Sequence, residues 1–210
     1  MPNENVILIA RTKKDISTKY IYYWADQIKQ EAELLGFHVI DLQDENFEED
    51  KIKKYIEEFD PFLIFLNGHG TQYSIKGYDG ETDVILRCKN DHLFNNRIVY
   101  ALSCHSSVIL GKSSRNKGCR CYIGYKDRVR FPMQELDNVL DDFVTEPFMI
   151  VSNEIVLTLL KGGNPEEAYQ NSQKLFDELI KHWKKQNKPE APTIVKWLQI
   201  IKKRQVMSLA

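Results

Sequence analysis

Two runs decide how this chain folds: Phe65-Leu66-Asn67-Gly68-His69-Gly70 and Arg97-Ile98-Val99-Tyr100-Ala101-Leu102-Ser103-Cys104-His105-Ser106. Each is apolar and β-rich, and each stops at a reactive side chain. Near-continuous apolar runs mark strands buried on both faces, as in a parallel sheet. Read that way, His69 and Cys104 stand at the carboxyl ends of two core strands.

The residues before His69 support a parallel sheet. Asn5–Ala10 is a first apolar strand. Ser17–Leu35 carries Ile21, Trp24, Ala25, Ile28, Ala32 and Leu35 near one helical face, with Gly36 as C-cap. Phe37–Leu42 is a second strand and Phe47–Phe59 a charged amphipathic helix that Pro61 stops. Phe62–Leu66 is the third strand. A β-α-β-α-β order with short connections implies right-handed crossovers and an open parallel sheet. Function in such sheets gathers beyond the carboxyl ends of the strands, where Gly68-His69-Gly70 lies. Ile98–Leu102 is the next core strand. Neighbouring parallel strands lie about 5 Å apart, so His69 and Cys104 are expected to meet across a small gap.

Thr71–Thr82 reads as a polar surface loop and Asp83–Cys88 as a short strand. Ser106–Gly118 reads as a loop or short helix, and the overlapping Gly111–Arg120 as a mobile stretch with Lys112, Arg115, Lys117 and Arg120 as cleavage points. Cys119–Tyr125 is a fifth strand, placing Cys119 and Cys121 on one side. Asp127–Pro132 is a charged exit loop and Leu136–Leu160 is helical. Lys161-Gly162-Gly163-Asn164-Pro165 is a stop-and-restart signal, with Asn164 capping a helix over Glu166–Lys185. The last helix is expected over Thr193–Met207. The domain spans residues 1–180, and 181–210 form a basic helical extension packed on it.

With 210 residues and a net charge of -1, the chain suits one soluble domain with a sizeable core, and bulk charge selects no partner. No run approaches the roughly 20 apolar residues a membrane span needs, and no basic leader precedes the first strand. A cytoplasmic location follows. The four cysteines do not look like a disulfide framework, which leaves Cys104 reduced. The basic tail, from Lys181 to Arg204, reads as a solvated helix face or a docking helix. Its two tryptophans do not make the interleaved stacking surface of a nucleic-acid binder.

A cysteine nucleophile needs a thiolate, or a base that creates one during attack. An imidazole is such a base and can later protonate a leaving amine. The Gly70 and Cys104 amides are the donors for a developing oxyanion. His105 adjoins the nucleophile, but strand-end alternation directs it away.

Asn67-Gly68-His69-Gly70 followed by Leu102-Ser103-Cys104-His105-Ser106 resembles the His and Cys motifs of the caspase-like cysteine peptidases: caspases, metacaspases, clostripain, gingipains, separase and CHAT domains. Leu159–Tyr169, through Gly162-Gly163-Asn164-Pro165, is similar to the helix–Gly–helix end of CHAT domains. The resemblance covers roughly residues 5 to 180. It implies a three-layer α/β/α caspase-like fold with a mainly parallel sheet and a helical C-terminal extension. It also implies a cysteine endopeptidase acting on protein or peptide substrates, with His69 as base, Cys104 as nucleophile and neither cofactor nor metal in the chemistry. Relatives of this type are commonly switched on by a regulatory partner or by cleavage.

The motif departs from its relatives at Leu102, where metacaspases and clostripain carry an acid that reads a basic P1 side chain. Asp127 stands where such relatives often place a pocket acid. Arg128 and Arg130 in the same loop can instead accept an acidic P1 group. The rival reading keeps the fold as a catalytically silent regulatory or scaffold protein. A flavodoxin-like nucleotide domain is a third, but Arg11-Thr12-Lys13-Lys14 lacks its Gly-rich phosphate loop.

Overall fold

The computed structural model describes residues 2–209. In chain order the elements are β1 (Asn3–Arg11), α1 (Ile16–Leu34), β2 (His38–Gln43), α2 (Glu49–Phe59), β3 (Pro61–Asn67), β4 (Ser74–Lys76), β5 (Asp83–Leu86), β6 (Ile98–Leu102), α3 (Leu110–Asn116), β7 (Cys121–Tyr125), α4 (Glu146–Leu160), α5 (Pro165–Trp183), α6 (Ala191–Arg204) and β8 (Gln205–Leu209). The central sheet runs β2-β1-β3-β6-β7-β8; all its pairs are parallel except β7–β8.

Alternation along the buried strands divides the core in two. Ile7 and Ile9 of β1 face α1, α4, α5 and α6 through Trp24, Val151, Phe176 and Leu198. Val6, Leu8 and Ala10 face α2 and α3 through Ile52, Ile56 and Leu110. Both faces of the sheet are covered, so the strands carry uninterrupted apolar runs. The fold is a three-layer α/β/α sandwich.

Register puts the strand ends on one rim. Arg11 pairs with Asn67 across β1–β3, and Asn67 pairs with Leu102 across β3–β6. The loops leaving these strands therefore bring Asp15, His69 and Cys104 to the same edge. Arg11 anchors that rim from below. Its side chain is 1% exposed and bonds Asp41 through Nε and Nη2 at 2.9 and 2.7 Å; Nη1 meets Asp26 at 2.7 Å and the Tyr22 carbonyl at 2.7 Å.

Several elements differ from the sequence expectation. The described residues end in a strand, not in a helix running to Met207. Helix α6 stops at Arg204, and β8 pairs antiparallel with β7 from Tyr125↔Gln205 to Cys121↔Leu209. Residues 205–209 have unsatisfied backbone groups available on the edge of β7, and pairing there outweighs continued helix. The region after residue 70 is not wholly loop, because β4 pairs with β5. Residues 126–145 are irregular, with bends, a 3-10 turn over Val139–Asp141 and a second turn before α4, which begins only at Glu146 with Pro147 in its first turn. Gly111–Arg120 is mostly α3, not a mobile stretch. A Cβ on Gly111 would lie 2.9 Å from the Tyr122 ring, and Lys117 is paired to buried Asp91 at 2.5 Å. Cys119 and Cys121 lie on opposite faces, Cys121 with the α1 side and Cys119 with the α2 side. Cys119 precedes β7, so strand alternation does not govern it.

The C-terminal residues are integral to the core. Ile194, Leu198 and Ile201 of α6 are buried in the same cluster as α1 and α4. Among the described residues no helix is long and apolar enough to cross a membrane.

Candidate active site

A groove of about 600 Å³ opens on the carboxyl rim of the sheet. Three loops line it: Gly68–Tyr73 after β3, Leu102–His105 after β6, and Arg128–Phe131 after β7, with Ser17, Thr18 and Ile21 of α1 along one side. His69 and Cys104 both line it, as do Gly70 and Leu102. Asp127 does not.

His69 is oriented by a residue that motif reading had not singled out. Its Nε2 lies 2.5 Å from Asp15 Oδ2. Asp15 is also the N-cap of α1: its Oδ1 accepts from the Thr18 N–H at 2.9 Å, and Thr18 completes a capping box. One carboxylate thus ties the start of α1 to the imidazole. Burial pushes the Asp15 carboxyl up, but the Thr18 amide and His69 outweigh it and hold it below its ordinary value. An ionised carboxylate only accepts, so Nε2 carries the proton and Nδ1 is left as the basic nitrogen. The loop between β4 and β5 backs the ring. A Cβ on Gly80 (φ +75°) would sit 3.2 Å from His69 Cδ2. The available signal for Asp15 was local: an Asp-x-x-Thr before an apolar-periodic helix is a cap signature, and the cap follows the first core strand.

Cys104 faces the exit loop. Its Sγ accepts from the Val129 N–H at 3.3 Å. Burial pushes the thiol above its ordinary range, against the Val129 N–H and the Arg128 and Arg130 charges, which favour the thiolate. The backbone turns sharply beyond it, with His105 in the left-handed region at φ +57°.

Gly70 is required by contact, not by turn geometry. A Cβ there would come 2.9 Å from both the Cys104 carbonyl oxygen and Ser103 Cβ. That closeness seats the two strand-end loops against each other. Neither the Gly70 nor the Cys104 N–H has a hydrogen-bond partner among the described residues, so both remain for a ligand oxygen. Gly70→Ala is expected to lower kcat/KM for any reaction at this site by about 10²-fold, because a shift of about 1 Å between reacting groups costs that much. Steady-state kinetics of the variant, with its circular dichroism unchanged, is the check.

Asp127 serves the loop instead of the groove. Its Oδ2 meets Arg204 Nη2 at 2.9 Å, and its carbonyl accepts from the His105 N–H at 3.1 Å. Arg204 also donates to the Arg128 carbonyl at 2.7 Å, and its own carbonyl accepts from the Lys126 N–H at 2.8 Å. The α6–β8 junction therefore holds the loop that touches Cys104. Among the described residues no group of three or more His, Cys, Asp or Glu is placed to hold a metal ion.

No protein-family profile and no curated protein matches the chain. The likeness is structural. The chain superimposes on the Arg-specific cysteine proteinase gingipain R with a TM-score of 0.57 at 10% sequence identity, over 91% of this chain and 44% of that one. The chain thus spans less than half the length of gingipain R, and its α/β fold is similar to the caspase-like fold of that protein.

Proposed function

We propose that this protein is a cysteine endopeptidase with His69 as base and Cys104 as nucleophile. The observation that carries the reading is one groove holding the Cys104 thiol and an imidazole whose far nitrogen is fixed by Asp15. In the proposed reaction Sγ attacks the peptide carbonyl as His69 Nδ1 takes the thiol proton. The tetrahedral oxyanion is received by the Gly70 and Cys104 amides. The C–N bond then breaks, the leaving amine takes the proton from His69, and a thioester remains on Cys104. Water, deprotonated by His69, hydrolyses the thioester and regenerates the thiol.

In the resting arrangement Sγ accepts from the Val129 N–H, and burial outweighs the support that this donor and the two arginines give the anion. This supports general-base activation during attack in place of a pre-formed thiolate–imidazolium pair. It also supports control by a partner: the exit loop must release Sγ, and Arg204 ties that loop to the C-terminal helix. Cleavage within Gly111–Arg120 draws no support from α3. The same Val129 contact is what favours the rival reading of a silent regulatory protein.

A peptidyl acyloxymethyl ketone separates the two. Labelling of Cys104 that disappears in Cys104→Ala, together with hydrolysis of a denatured protein substrate, is the expected result; a wild-type chain that never labels sinks the proposal. A small haloacetamide gives a second readout. It reacts with the thiolate, and the raised thiol requires its rate at Cys104 to be still climbing at about pH 8.5, the ordinary thiol midpoint. A plateau well below neutral pH contradicts general-base activation.

A further inference from the structure

The groove's charges and its floor together point to a substrate class. Of the residues that line it, none is Asp or Glu, and two, Arg128 and Arg130, are fully charged. Both arginines are exposed, and neither guanidinium has an ion-pair partner among the described residues. Two acids that adjoin lining residues are occupied, Asp15 by His69 and Thr18, Asp127 by Arg204. Beside Cys104 the floor is apolar: Ile21 and Leu102 are buried core residues, with Val129 and Phe131 packed against the same cluster. Past Phe131 the surface continues into a second hollow of about 350 Å³ that includes Pro132, Met133 and Trp197.

These two features separate by depth. A charged side chain in the floor would leave water for an apolar surface: a guanidinium or ammonium meets no acid there, and a carboxylate is compensated only from the exposed rim by Arg128 and Arg130, so each is costly. An apolar side chain gains there. At the rim the exposed arginines act through solvent, where they steer anionic segments and repel cationic ones.

We propose that the groove selects peptides with an uncharged apolar side chain beside the scissile carbonyl and acidic residues on either side of it, and that it rejects Arg and Lys at the scissile position. The assignment of a scissile position rests on the endopeptidase reading; the binding preference is measurable without catalysis.

The test uses full-length Cys104→Ala and fluorescence anisotropy with labelled peptides of identical length. Three carry Leu, Asp or Arg at the centre between glutamates, and a fourth carries Leu between lysines. The Leu-centred peptide with glutamates is expected to bind at least about tenfold tighter than each of the other three. Its advantage over the lysine-flanked peptide is expected to shrink at high salt, as exposed charge interactions are screened. Arg128→Glu with Arg130→Glu is expected to reverse the flank preference while preserving Leu over Arg at the centre, and the lysine pair at the same positions to restore it. Equal or tighter binding of the Arg- or Asp-centred peptide overturns the inference. So does a flank preference untouched by charge reversal, or no binding of any peptide. Selective binding with no hydrolysis by wild type would overturn the enzyme reading and leave this preference standing.

Discussion

His69→Ala is expected to lower kcat/KM by about 10²–10⁴-fold, the usual contribution of a positioned acid–base group. The loss is expected on kcat, since in the proposed reaction the imidazole transfers a proton and does not hold the peptide. Burial pushes the Cys104 thiol above its ordinary range, so without the base little thiolate is expected for attack. Asp15 variants test how the imidazole is held. Asp15→Asn keeps a good N-cap, because Asn caps as well as Asp, but removes the charge that faces Nε2. It should fold with wild-type stability and lose activity, by less than His69→Ala. Asp15→Ala loses the cap as well, at a further cost of about 1 kcal/mol in stability. Kinetics and chemical denaturation of the three variants side by side check the ordering. Equal activity of Asp15→Asn and wild type would show that the carboxylate serves the helix alone.

Arg11→Ala is expected to destabilise the fold by about 3 kcal/mol at neutral pH. Removing one member of a buried ion pair leaves the other charge uncompensated, which costs about 3–5 kcal/mol. The lower end applies because Lys29 Nζ remains 3.4 Å from Asp41. The pH dependence gives the sign. Burial raises the Asp41 carboxyl, but Arg11 outweighs it and holds it below its ordinary value. A depressed carboxyl contributes stability that is present above its unfolded pKa, about 3.9, and is lost as pH falls through the folded value. In Arg11→Ala the same carboxyl is left buried beside less positive charge. Its protonation on acidification relieves the penalty, so the gap between variant and wild type should narrow as pH falls toward 4. Urea denaturation at neutral and acid pH checks both magnitude and direction. The effect should reach the groove too, since Thr12–Asp15 leaves the rim directly from Arg11.

Much of the architecture was legible because it is written in local periodicity. The runs Val6–Ala10, Leu63–Leu66 and Ile98–Leu102 are apolar on both sides of the pleat, which only a doubly covered sheet tolerates. Helix α5 announced itself through Asn164 and Pro165, and the structure bears this out: Asn164 accepts from the Glu167 N–H at 2.9 Å in a capping box with Pro165 in the first turn. The ends of β8 and α4 were not legible. Gln205–Leu209 has no strand signature strong enough to break a helical pattern, and its pairing partners lie 80 to 88 residues upstream. Pro147 permits a helix start as readily as an interruption.

What the sequence determined by itself was the set of strand-end residues, His69 and Cys104, and the parallel order that sends both to one rim. These follow from apolar runs and short connections, which are local quantities. Only the tertiary structure decided what each of them touches. Asp15 reaches His69 because β1 and β3 are neighbours, although the two residues are 54 positions apart. Val129 reaches Cys104, and Asp127 turns from the groove to Arg204, because β8 closes on β7. Hydrogen bonds and ion pairs of this kind depend on distances of a few ångströms between segments far apart in the chain. No periodicity records such distances; the packed sheet sets them.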